Sequence, residues 1–158
     1  MKNIKSILIA ANLLVVLTYF GFQIHHKEQL LDHGTQVRLE LAPVDPRSLM
    51  QGDYMALRYK VADDCTDEED NYVVVNKENG DFVRSQKDMQ DIAPNEVALK
   101  LKHDGYQFHL SSESYFFEEG TDTLYEHAKY ALVVVDTDGS IFIKNLCNAS
   151  GEIIVKNK

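Results

Sequence analysis

Gly52-Asp53-Tyr54-Met55-Ala56-Leu57-Arg58-Tyr59 decides how this chain is read. It follows Asp45-Pro46-Arg47-Ser48-Leu49-Met50-Gln51 without a break. Asp45 fits a helix N-cap and Pro46 the first helical position. Gly52 fits the residue just past a short helical turn, where glycine takes a left-handed backbone without strain. Alternation then takes over: Asp53 to Ala62 places Met55, Leu57, Tyr59 and Val61 on one face of a predicted strand. Leu57 and Tyr59 are therefore expected in a core. Asp53, Tyr54 and Arg58 have no structural duty on this pattern and are the candidate recognition positions.

Strand signals extend on both sides. Thr35 to Leu41 alternates, with Val37, Leu39 and Leu41 together. Three hairpins are predicted downstream: around Lys77-Glu78-Asn79-Gly80, around Asp104-Gly105 and around Asp138-Gly139. Ile153-Ile154-Val155 is a candidate closing strand, and Gln86 to Asn95 reads as irregular. Thr123-Leu124-Tyr125-Glu126 has capping-box form, and Leu124, Ala128 and Ala131 have helical spacing, so a short helix is expected over 121–130. The fold class is mainly β (α+β): an antiparallel β domain with one short helix, preceded by an apolar helix.

That apolar helix begins near the start. No charge occurs from Ser6 to Ile24. The 18 residues from Ile7 span roughly 27 Å as a helix, close to the thickness of bilayer hydrocarbon. No small-x-small cleavage site and no lipid-acceptor Cys follow it, which favours an uncleaved single-pass signal anchor. Lys2 and Lys5 keep the short end cytoplasmic, so the expected division is a tip and anchor over 1–27 and an exported domain over 28–158. Asn12, Tyr19, Gln23 and His26 fall on one stripe. This is either a contact with another membrane helix or, for Tyr19 onward, residence in the interfacial zone.

The chain carries 16 basic and 25 acidic residues. Three of the basic ones, Lys2, Lys5 and Lys27, belong to the anchor region, leaving 13 against 25, a net charge near −12 beyond it. Such a surface repels nucleic acid and anionic headgroups, so no nucleic-acid partner is expected. Cys65 and Cys147 can pair in an oxidising compartment, closing a loop worth about 4–5 kcal/mol, or stay as two thiols. No Cys-x-x-Cys, glycine-rich phosphate loop or dinucleotide fingerprint is present, and no cofactor is expected. Glu118, Glu119, Glu126 and His127 offer donors to a cation. However, Glu126 and His127 diverge by about 100° on the predicted helix, and no metal site is expected.

Gly-Asp-Tyr-x-x-Leu-x-Tyr at 52–59 is the string that characterises the GDYXXLXY domain family, and the chain resembles it. Leu41 to Leu49 ahead of it is similar to that family, as are Ser114-Tyr115-Phe116-Phe117-Glu118-Glu119-Gly120 and Tyr125-Glu126-His127-Ala128-Lys129-Tyr130. Gly120 joins Gly52, Leu57 and Tyr59 as a structural position of the motifs. Ala131 stands where the family's usual glycine follows the tyrosine. The resemblance implies a bacterial inner-membrane protein without assigned activity, its C-terminal domain on the external or periplasmic side. It also implies an accessory partner of a polytopic membrane protein, and supplies no catalytic residues.

Three functional classes follow. The leading one is a binding or assembly module that docks onto a membrane partner through Asn12, Tyr19 and Gln23 and through the surface of Asp53, Tyr54, Arg58, Glu119 and Glu126. The aromatic residues are numerous enough to line a groove near Tyr54 and Tyr59. An envelope hydrolase is the second. Ser48-Leu49-Met50-Gln51-Gly52-Asp53 is similar to a run in bacterial signal peptidases, but Val44 occupies the position of their nucleophile, so only carboxylates remain for acid–base work. The third is a sensor of a cation or small ligand.

Overall fold

The computed structural model describes residues 2–42, 54–118 and 120–155. It divides into two units, one ending at Gly34 and one beginning at Thr35. The first is α1 (Lys2–His33), a continuous helix of 32 residues. Its span from Ile7 is long and apolar enough to cross a membrane, and no part of that window is buried within the chain. The helix runs nine residues past the apolar stretch, because Gln29, Leu30 and Leu31 continue it with no proline or glycine to stop it before Gly34.

The second unit is antiparallel β throughout, as the sequence pattern predicts. In chain order it contains β1 (Thr35–Glu40), β2 (Tyr54–Ala56), α2 (Lys60–Asp63), β3 (Tyr72–Asn76), β4 (Phe82–Gln86) and β5 (Glu96–His103). It continues with β6 (Phe108–Leu110), β7 (Ser114–Phe116), α3 (Asp122–Tyr125), β8 (Tyr130–Val135) and β9 (Ile141–Cys147). Among the described residues the strands form three sheets, in the orders β1-β8-β9, β2-β7 and β4-β3-β5-β6.

Hairpin tips lock the sheets together. Gly80, in the β3–β4 turn, lies so close to β1 that a Cβ there would sit 1.9 Å from the Arg38 carbonyl oxygen. Gly139, in the β8–β9 turn, lies on β5 and accepts a hydrogen bond at its carbonyl from the Lys100 N–H. Both have φ near +80°, so glycine is required twice over, for conformation and for contact. Val37 and Leu39 of β1, Val73 and Val75 of β3, Leu99 and Leu101 of β5, and Val133 of β8 fill the shared core. Along β1 burial alternates as the sequence pattern predicts, whereas Val73, Val74 and Val75 of β3 are all buried.

Three expectations are corrected. The strand over 53–62 is only Tyr54–Ala56, followed by an isolated bridge from Tyr59 to Leu41 and then α2. Met55, Leu57, Tyr59 and Val61 are nevertheless all buried, so the face is right although the strand breaks. The helix over 121–130 is the single turn α3, and Tyr130 and Ala131 belong to β8. Its capping box does not form: the N-cap is Thr121, which makes no side-chain cap and instead donates its hydroxyl to the Glu118 carbonyl at 2.6 Å. Ile153 forms one bridge to Cys147 rather than a strand. Of the two states open to Cys65 and Cys147, a bridge or two thiols, the structure has two free, buried thiols. Burial, with Asp64 and Asp70 nearby, pushes the Cys65 thiol up to about 12, and burial also raises that of Cys147.

Candidate functional site

The second half of the opening motif is tied into the domain at three consecutive residues, Leu57, Arg58 and Tyr59. Leu57 donates its N–H to the Glu113 carbonyl at 2.7 Å, and the Arg58 carbonyl accepts from the Ala42 N–H at 2.8 Å. Tyr59 is fully buried and donates its hydroxyl to the Ser112 carbonyl at 2.8 Å. Burial, and secondarily the charge of Glu113, raise the proton affinity of that phenol, so it remains a neutral donor. Leu57 and Tyr59 thus have the core-facing placement expected of them.

The 110–114 turn that receives these bonds is itself braced. Glu113 accepts at Oε1 from the Leu110 N–H at 3.1 Å and contacts His109 Nδ1 through Oε2 at 2.8 Å. Nε2 of the same imidazole faces Asp104 at 3.1 Å. Burial works against the charged imidazole, but Glu113 and then Asp104 outweigh it, and the net shift is upward. Two backbone N–H groups, of Gln107 and Tyr106, hold Asp104 down at about 2. Sequence patterning gave His109 no role, since its two carboxylate partners lie four and five residues away across a strand end.

The polar positions separate. Tyr54 sits opposite Phe116 in the β2–β7 ribbon, ring centroids 5.9 Å apart, and both rings are exposed. Arg58 turns the other way and holds Asp63 Oδ1 with two nitrogens, Nε at 3.0 Å and Nη2 at 2.6 Å. Asp53, Gly52 and Glu119 lie outside the described residues, as does the turn expected at 45–52. Gly120 has φ of +79°, which explains glycine at that position.

Arg58 and Glu126 come together. Both line a cleft of about 360 Å³. Its floor includes Leu41, Met55 and Leu57, and its far wall is the turn Tyr125 to Lys129. Because α3 ends at Tyr125, Glu126 and His127 lie in a turn rather than on a helix, and the two side chains share one cleft instead of diverging. Lys129 adds a second cation. The floor is apolar and the rim carries both signs of charge, an arrangement suited to orienting a polypeptide. Behind the cleft Tyr125 packs against Tyr115 at 5.3 Å and Phe117 at 5.6 Å. Burial and a hydrogen bond with Tyr125 push the Tyr115 phenol up to about 12.

No group of side chains suited to holding a metal occurs among the described residues. Glu96, Asp104 and Asp138 have lowered proton affinity, each chiefly through a backbone N–H donor.

The sequence matches the family model described as GDYXXLXY protein over residues 16–146. No curated protein and no solved structure matches the chain. The matched span covers most of the chain, which therefore belongs to the GDYXXLXY family.

Proposed function

We propose that this GDYXXLXY family member is a single-pass envelope protein whose exported β domain is a binding module for a membrane partner. The bilayer holds it through α1, with the β domain on the external or periplasmic side. The observation that supports this reading is the cleft, which Leu41–Ala42, Met55–Arg58, Tyr125–Lys129 and Ala149 meet to form from distant parts of the chain. Its apolar floor and mixed-charge rim suit a loop or terminus of a polytopic membrane protein better than a small reactive substrate. The acidic surface beyond the anchor is consistent with a cationic segment as the occupant.

The test is affinity capture of the full-length protein from native membranes in mild detergent. Capture of a multi-spanning protein, reduced by Glu126→Lys combined with His127→Glu, is the expected result. Both side chains are exposed, so the double variant keeps its fold. Capture that ignores the double variant would exclude the cleft as the docking surface.

A further inference from the structure

The helix α1 carries a second pattern beneath its apolar composition. Lys5, Asn12, Tyr19, His26 and His33 recur at intervals of seven, and all lie on the one continuous helix. Leu8, Val15 and Phe22 follow three residues after the first three of them. A strict seven-residue repeat brings one seam of a helix repeatedly against a parallel neighbour in left-handed packing. Within the hydrocarbon, left-handed crossings are the commonest helix pairing.

Within the apolar run Ile7 to Ile24, one polar side chain of the seam is unmet among the described residues. Gln23 Nε2 donates to the Tyr19 hydroxyl at 3.1 Å, so those two polar residues partly satisfy each other. Thr18 is likewise satisfied, donating its hydroxyl to the Leu14 carbonyl at 2.8 Å. The Asn12 carboxamide makes no hydrogen bond among the described residues. It lies about 5 Å from the middle of the apolar run Ile7 to Ile24, where water offers no partner. An amide in that position gains by pairing with another polar group at the same depth.

We propose that the chain forms a parallel homodimer through α1, with the two Asn12 carboxamides hydrogen-bonded to each other inside the bilayer. This rests on the reading of α1 as a membrane anchor. A carboxamide is both donor and acceptor, so it is complementary to itself. Two copies inserted with the same orientation place the two Asn12 side chains at one depth by symmetry, with no second protein required. A self-complementary polar residue at the first position of a heptad also fixes register and favours a defined oligomer. Dimerisation sets two β domains side by side on one face of the membrane and presents two clefts to a partner, which raises avidity without new contacts.

The experiment uses the full chain in native membranes and in lipid vesicles. Single cysteines are introduced on the seam (Leu8→Cys, Val15→Cys) and off it (Ala10→Cys, Leu17→Cys), and oxidative dimers are counted. The parent chain, whose two thiols are buried, is the blank. Seam positions are expected to cross-link and off-seam positions not. By energy transfer between labelled copies in vesicles, Asn12→Leu is expected to weaken association roughly 3- to 30-fold, and Asn12→Gln to retain it. Equal cross-linking at all four positions, or association unchanged by Asn12→Leu in a protein that resists alkaline extraction, overturns the dimer. Release of the protein by alkaline extraction overturns the membrane anchor itself, and the two failures are told apart on that step.

Discussion

Tyr59→Phe tests how the opening motif is anchored. The substitution removes one oxygen and leaves the ring in place, so packing is preserved. What is lost is the 2.8 Å hydrogen bond to the Ser112 carbonyl, in a position with no measurable exposure of Tyr59. Ser112 is only half-buried, so water can partly replace the lost donor and the change costs about 0.5–1.5 kcal/mol. For a unit of this size, near 120 residues, each kcal/mol moves the midpoint by roughly 3–6 °C, so the melting temperature should fall by about 2–9 °C. The assay is thermal unfolding of the full chain in detergent, followed by circular dichroism in the β region. Tyr106→Phe is the control, because Tyr106 is 93% exposed and should change nothing measurable. A midpoint for Tyr59→Phe within 1 °C of the parent would refute the reasoning, since the motif's second tyrosine would then act through its ring alone.

Gly80→Ala is expected to cost about 2–5 kcal/mol, from left-handed strain plus collision with the Arg38 carbonyl. Gly105→Ala, with a similar φ and open space around it, should show the strain alone, and urea midpoints of the two variants would separate the effects. His109 has its proton affinity raised on folding, so its contribution is complete below its unfolded value, near 6.5, and fades as pH rises through the higher folded value. The stability advantage of the parent over His109→Gln should therefore shrink as pH rises from 5.5 to 8.5; an advantage that grows would show the imidazole acting as a neutral group. Cys65 and Cys147 should resist an alkylating reagent at pH 7 in the native protein and react on unfolding, because both are buried and their thiols are held above the ordinary range. Fast native labelling of either would contradict that burial.

Much of the β architecture was legible in the sequence because it is local. Gly80, Gly105 and Gly139 announce turns that need a positive φ, and the flanking Val, Leu and Ile residues alternate with period two. The misread elements are those where distant pairing overrides a local signal. Leu124, Ala128 and Ala131 have helical spacing, yet Ala131 lies in β8 between Leu39 of β1 and Leu146 of β9. A central strand bonded on both sides outweighs one further helical turn. Alternation through Tyr59 and Val61 correctly gave burial but not a strand, because Tyr59 finds its backbone partner in Leu41 and the chain then turns into α2.

The candidate site was legible in composition but not in grouping. Tyr54 and Arg58 were read as one recognition surface, whereas Tyr54 lies beside the tilted ring of Phe116 and Arg58 lines the cleft with Glu126. No spacing rule could bring Arg58 to Lys129, because their meeting depends on β2 pairing with β7 and on β1 pairing with β8. The bracing by His109, Glu113 and Ser112 escaped notice for the same reason.

The claim at the centre of this account is that the cleft between Arg58 and Lys129 receives a membrane partner. Its most direct test places a photoactivatable amino acid at position 127 and, separately, at the exposed position 106, in full-length protein in living membranes. The account predicts an adduct with a multi-spanning membrane protein from position 127 and none from position 106. An identical adduct from both positions, or none from position 127, would contradict it.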